Sequence, residues 1–142
     1  RALGKRESVA VCLGNLGNIC LEQGLVAEAL AARLESLAIR RDIGNREGVA
    51  IALHNIGTSH DRCGALAEAV ASYRESLAIA RDLGHRAGSA HCLCSLGRTL
   101  VNAGSPADGL AALRESLELR RALGDAAGMR ECEEGIARAG PG

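Results

Sequence analysis

The sequence predicts an all-α chain of antiparallel helix pairs, and three observations carry that expectation. The 142 residues repeat every 40: residues 1–40, 41–80 and 81–120 align without a gap, and a fourth, shorter copy starts at Arg121. Within each copy apolar and small residues recur at steps of three and four, the period of one helix face; no stretch sustains the alternation of a half-buried strand. Glycine returns in mid-copy at Gly24, Gly64 and Gly104, and again at Gly44, Gly84 and Gly124, where it separates one helix from the next.

The elements follow in order. In the first copy a helix is expected over about residues 6–23, with Ala10, Leu13, Leu16, Gly17 and Cys20 on one face. Gly24 ends it. A second helix is expected over about 26–42, with Ala29, Leu30, Leu37 and Ile39 inward. In the third copy Ser105-Pro106 opens the second helix, as a hydroxyl cap followed by a residue that needs no amide donor. Gly44, Gly84 and Gly124 are expected at positive φ after each second helix. Lys5, Asn45, His85 and Asp125 come next, and the Asn and Asp suit the cap of the following helix. A last helix at about 126–138 would cover the final pair. The first two copies share 19 of 40 positions and the next two 15 of 40, enough to equate them residue by residue.

Composition narrows the function. Tyr73 is the one aromatic residue, so the core is built from Leu, Ile, Val, Ala and Cys, which suits closely spaced helices. Seventeen basic residues balance seventeen acidic ones, which argues against general binding to nucleic acid or anionic membranes. No apolar run approaches the roughly 18 to 20 residues that span a bilayer. No signal peptide opens the chain, and a cytoplasmic location is expected. Sixteen of the basic residues are Arg and only Lys5 is Lys, a bias of GC-rich coding that suggests a bacterial source.

The repeated residues resemble the tetratricopeptide repeat (TPR) family in a 40-residue form. Leu13, Leu16-Gly17, Cys20, Ala29, Arg33 and Ser36 stand at the family's pattern positions. In the second copy they are Leu53, Ile56-Gly57, His60, Ala69, Tyr73 and Ser76; in the third, Leu93, Leu96-Gly97, Leu100, Gly109, Leu113 and Ser116. Most of the family's aromatic positions are replaced. The resemblance implies a right-handed α-solenoid: one array over 1–142 with units 1–40, 41–80 and 81–120 and a capping half-unit 121–142. Gly17 would face Ala29 where the paired helices cross, as would Gly57 with Ala69 and Gly97 with Gly109, letting the backbones approach. The linkers also resemble arrays of bacterial signalling ATPases and regulators and of spindle-orientation adaptors. The chain opens inside a linker between units, so a piece of a larger protein is expected.

Nothing in the sequence groups into a catalytic or cofactor site. The six cysteines, Cys12, Cys20, Cys63, Cys92, Cys94 and Cys132, are expected as reduced, buried thiols. Cys92 and Cys94 point about 200° apart on a helix and cannot grip one ion. Cys12, Cys92 and Cys132 share one repeat position, and such neighbours lie roughly 8–10 Å apart. No metal site is expected. His60 occupies a packing position, and the run Glu131, Glu133 and Glu134 reads as a solvated face.

The resemblance implies that the first helices line a concave groove. Groove positions carried over from the family are Asn15 and Asn18 in unit one, His54, Asn55, Thr58, Asp61 and Arg62 in unit two, and His91, Arg98 and Asn102 in unit three. Val11, Gly14, Leu21, Glu22, Ile51, Cys94, Ser95 and Val101 complete the wall. Asn and Arg can bond the backbone or carboxylates of a peptide. Asn18 and Asn55 match the asparagines of the family's carboxylate-clamp type, but Gly14, His91 and Ser95 replace its basic residues, so a chaperone-tail binder is disfavoured. The expected function is non-enzymatic recognition of a protein or extended peptide, as sensor or scaffold part of a larger regulatory protein. The alternative is self-association into a homo-oligomer through the array ends.

Overall fold

The computed structural model describes residues 2–140. Among them lie seven helices and no strand: α1 (Ala2–Glu22), α2 (Val26–Asp42), α3 (Arg46–Arg62), α4 (Leu66–Asp82), α5 (Arg86–Asn102), α6 (Pro106–Leu123) and α7 (Ala126–Ala139). The expected succession of a first and a second helix in each 40-residue copy holds. The expected start of α1 does not. The Arg-x-Leu/Ile-Gly tetrad closes α2, α4 and α6, but at the beginning of the chain Ala2–Gly4 lie in the first turn of α1, and Gly4 takes the helical conformation that glycine accepts as readily as the left-handed one.

The helices end and begin as the repeat dictates. Gly44, Gly84 and Gly124 have φ of 75°, 69° and 72°, the left-handed turn that lets the chain leave a helix at little steric cost. Asn45 and Asp125 then cap the next helix, each side chain accepting the N–H of the glycine three residues on at 2.9 Å. His85 does the same through Nδ1 at 2.8 Å, a role the sequence reading left unassigned. Ser105 departs from expectation: its hydroxyl makes no cap bond. Pro106 follows it in the first turn, where a missing N–H leaves no helical bond unmade.

The chain divides into two compact units, Arg1–Ser72 and Tyr73–Gly142, with the division falling within α4. In the first unit α1 packs on α2 and α2 on α3. In the second unit α5 packs on α6, and α7 lies against both α6 and α5. Tyr73, Ser76 and Leu77 of α4 are buried in this unit, and the Ser76 hydroxyl meets the Cys92 thiol of α5 at 3.2 Å.

Helix crossings show why the small residues recur. A Cβ on Gly97 would stand 2.8 Å from the Gly109 carbonyl oxygen and 2.7 Å from Leu113 Cγ, so α5 and α6 touch backbone to backbone, as expected. Gly17 differs. What a Cβ there would meet is the stem and Nε of Arg33 at 2.9 Å, and Ala29 is not among its nearest neighbours. Arg33 stands at the place of Tyr73 and Leu113, and it needs the gap that Gly17 leaves.

Candidate partner-binding site

In the first unit two of the predicted residues, Asn18 and Asn55, meet one guanidinium. Arg33 starts on α2, passes Gly17 and is buried, its Nη2 donating to Asn18 Oδ1 at 2.8 Å. Its Nη1 donates to the Asn55 carbonyl oxygen at 2.7 Å and to Ser59 Oγ at 2.8 Å. Asn18 of α1 and Asn55 of α3 are thereby held on either side of the same charge. Asn18 is exposed and accepts through Oδ1, which leaves its amide N–H groups as a donor pair for a ligand carbonyl or carboxylate. Arg33 is a residue that the sequence reading placed only in packing; the signal for it was a long cation standing where the repeat has Tyr or Leu.

The other predicted residues of this unit divide by exposure. Asn15, Asn18 and Arg62 are exposed; His54, Asn55, Thr58 and Asp61 are half-buried along α3. Thr58 Oγ1 donates to the His54 carbonyl oxygen at 3.2 Å within its own helix. Leu21, carried over as a groove residue, is buried against Cys20 and Ala29 instead. An apolar residue at the end of α1 gains more from the crossing with α2 than from solvent.

In the second unit His91, Arg98 and Asn102 are exposed on α5. The stem of Arg98 passes close to Gly135 of α7. His91 is crowded from behind, and that partial burial lowers its pKa; the positive charges of Arg120 and Arg98 lower it further and Glu131 opposes them. Arg120 is buried, its Nη1 donating to the Gly128 carbonyl oxygen at 2.8 Å and lying 3.4 Å from Glu131. Glu131 is therefore tied to a buried cation, while Glu133 and Glu134 are exposed as expected. Cys94 and Ser95, two further groove positions, are buried. Cys94 belongs to the core that α7 closes with Leu113 and Cys132, because α7 lies across α5 where a groove would otherwise open.

The cysteines form no bridge, and two contradict the expected burial: Cys12 and Cys63 are exposed. Cys92 turns to Ser76 and Cys94 to the α6–α7 side, the divergence that helix geometry demands. Burial, with Cys132 beside it, pushes the Cys94 thiol up to about 11. Cys132 in turn donates to Ser116 Oγ at 3.2 Å. Among the described residues no three His, Cys, Asp or Glu side chains converge as a metal site would require. No helix of the described residues is long and apolar enough to cross a membrane.

The tetratricopeptide repeat profile matches this sequence twice, over residues 6–82 and 48–122. The chain belongs to the tetratricopeptide repeat family. No curated protein sequence matches it. Among solved structures it is similar to the nearly identical TPR-like repeats of a Podosopora anserina protein assigned as a kinesin light chain, in two forms that differ by a substitution. The TM-scores are 0.76 and 0.74, each at 16% identity over 92% of this chain. The chain spans 64% of the length of those structures. Likeness at that identity establishes the fold: an all-α TPR solenoid. TPR repeats serve in general as non-catalytic scaffolds for protein–protein interaction, and this chain carries the same architecture.

Proposed function

We propose that this TPR chain is a non-enzymatic recognition module that binds a protein segment or extended peptide on the exposed faces of its first helices, as sensor or scaffold in a larger regulatory protein of the bacterial cytoplasm. The observation that carries the reading is the Arg33 arrangement. A buried guanidinium holds Asn18 by its Oδ1 and α3 by the Asn55 carbonyl oxygen, so the amide donors of the exposed Asn18 remain for a ligand rich in acceptors. The exposed Arg62 in the first unit and Arg98 in the second add positive charge that suits carboxylates.

The test is a library of acetylated peptides in which acidic side chains and the C-terminal carboxylate are varied, read by fluorescence anisotropy. Acidic members should bind, and Asn18→Ala, Asn55→Ala and Arg98→Ala should each weaken them by roughly 1–3 kcal/mol, the range for hydrogen bonds that involve a charge. Binding that ignores all three substitutions would refute this choice of face.

A further inference from the structure

A glycine well inside α1 has no use within the chain. A Cβ on Gly14 would meet nothing within 4 Å, whereas a Cβ on Gly17, Gly97 or Gly109 would stand 2.9 Å or less from a neighbouring group. Glycine is the least favourable residue after proline in a helix interior, and at Gly14 no helix crossing asks for it. The later copies hold His54 and Cys94 at this position. Cys94 is buried with Cys132 of α7 in the core of the second unit. The first unit has Gly14 and Ala52 at those two places, and so keeps a notch where the second unit has two thiols.

The notch lies in a bounded strip. Glu7, Val11, Gly14 and Asn18 follow one another at steps of four, three and four, which is one face of α1. Both ends of that face are tied to α3. Asn45 Nδ2 donates to the Glu7 carboxylate at 3.1 Å, and the Arg33 guanidinium joins Asn18 Oδ1 to the Asn55 carbonyl oxygen at 2.8 and 2.7 Å. Between the ties Val11, and Ile51 on α3, stay 44% and 51% exposed. At the Asn18 end the charged donor polarises the amide, which strengthens its N–H groups as donors to an acid.

We propose that the notch at Val11, Gly14 and Ile51 takes an apolar side chain of an extended peptide, whose acidic residue two positions away bonds the Asn18 amide. The inference rests on the first-helix faces being the recognition surface, and it names the ligand that the first unit takes there. Spacing decides the pattern. Gly14 and Asn18 are four residues apart on a helix, about 6 Å along its axis. An extended chain advances about 3.3 Å per residue and returns a side chain to the same side at every second residue, about 6.6 Å on. Adjacent residues of such a peptide point to opposite sides and cannot fill both places. A glycine in the wall lets the ligand backbone come close, and the apolar side chain then takes Val11 and Ile51 surface out of water.

The experiment titrates the 142-residue chain with three peptides of glycine and serine, followed through its amide NMR signals. One peptide carries leucine and aspartate two positions apart, one carries them adjacent, and one keeps the aspartate but has serine for leucine. The first should bind about tenfold tighter than the other two, and Gly14→Val should remove that advantage, because the place of one buried leucine is then filled. Gly14→Ala should raise the thermal midpoint, as alanine does in a helix, and still lower the affinity; a glycine kept for the fold would not give that opposition. Equal affinity for the first two peptides would overturn the notch, as would full affinity in Gly14→Val. If Asn18→Ala weakens both aspartate–leucine peptides while Gly14→Val changes neither, the face stands and the notch falls. If no peptide binds, or binding ignores Asn18→Ala, both fall together.

Discussion

Arg33 and Leu113 occupy the same position of the repeat, one in each compact unit, and they solve the same crossing by opposite means. Both are buried, at 4% and 0% exposure. Leu113 sits beneath the Gly97–Gly109 contact with Cys94 and Cys132 around it, a dry apolar centre. Arg33 threads past Gly17 and fixes three groups on α1 and α3 with its guanidinium. The position therefore selects for length and burial, not for polarity. A leucine there can only hold helices together, whereas an arginine also delivers orientation to the exposed face.

Substitutions can break that contrast, and the largest effect should come from the dry side. Leu113→Ala removes a wholly buried side chain at a site pinned by two glycine backbones, which cannot collapse far to fill the gap. A loss of roughly 2–5 kcal/mol is expected, the range for such truncations. Urea denaturation gives the size, and hydrogen exchange should show the loss in α5–α7. A loss well under 1 kcal/mol would mean that the crossing is not the keystone of this unit.

On the polar side the expected effect is smaller and depends on what replaces the charge. Arg33→Ala removes a charged donor from Ser59 Oγ and the Asn55 carbonyl, leaving that carbonyl the longer 3.4 Å bond from Ser59 Oγ, and opens a void beside Gly17, so a cost of about 2–3 kcal/mol is expected. Arg33→Met fills the same space with no charge to desolvate and should cost less, on the order of 1 kcal/mol. Yet Met cannot hold Asn18, so peptide affinity should fall in both variants. If Arg33→Met keeps full affinity for an acidic peptide, the orienting role assigned to Arg33 is wrong.

How far the sequence disclosed these units depends on which physical signal each feature leaves. Helices were legible because periodicity, the closing glycines and the Asn45 and Asp125 caps all act locally. The path of Arg33 was not, since an arginine at an aromatic position announces packing but not which groups its fork will reach. Exposure along the first helices was legible only in part. Positions carried over from the family pattern put Asn18 and Asn55 among the groove residues, yet they also nominated Leu21, Cys94 and Ser95, which are buried. Those failures share a cause: the family register says which way a residue faces within a pair, while burial at Cys94 depends on α7 lying across α5, a long-range contact with no local signature.

pH separates the two solutions as well. Arg33 stays charged throughout the accessible range, so its network has no titration of its own. Cys94 does titrate. Its folded thiol is raised to about 11 from the ordinary 9.0. As pH climbs through that window the unfolded chain gives up the proton first, so the folded state binds more protons and stability falls with rising pH. Stability associated with the neutral thiol is thus full below pH 9 and lost towards pH 11. Cys94→Ala should flatten this alkaline limb in urea midpoints, whatever it costs at neutral pH. An unchanged slope would mean that the thiol is not held from water as the Leu113 core implies.

The smallest effect on stability should come from the exposed charge that neither crossing uses. Arg98 leans its stem over Gly135 but keeps its guanidinium outside, and surface substitutions of that kind usually fall within about 0.5 kcal/mol. Arg98→Ala should therefore leave the thermal midpoint nearly in place. It should also raise the pKa of His91 slightly, because one of the positive charges that lower it is gone while Glu131 remains. NMR titration of His91 reads that shift directly, independent of any partner. A variant that unfolds would place Arg98 in the architecture of the second unit rather than on its binding face. A folded variant with an altered His91 and weaker peptide binding would place it on the binding face of the second unit.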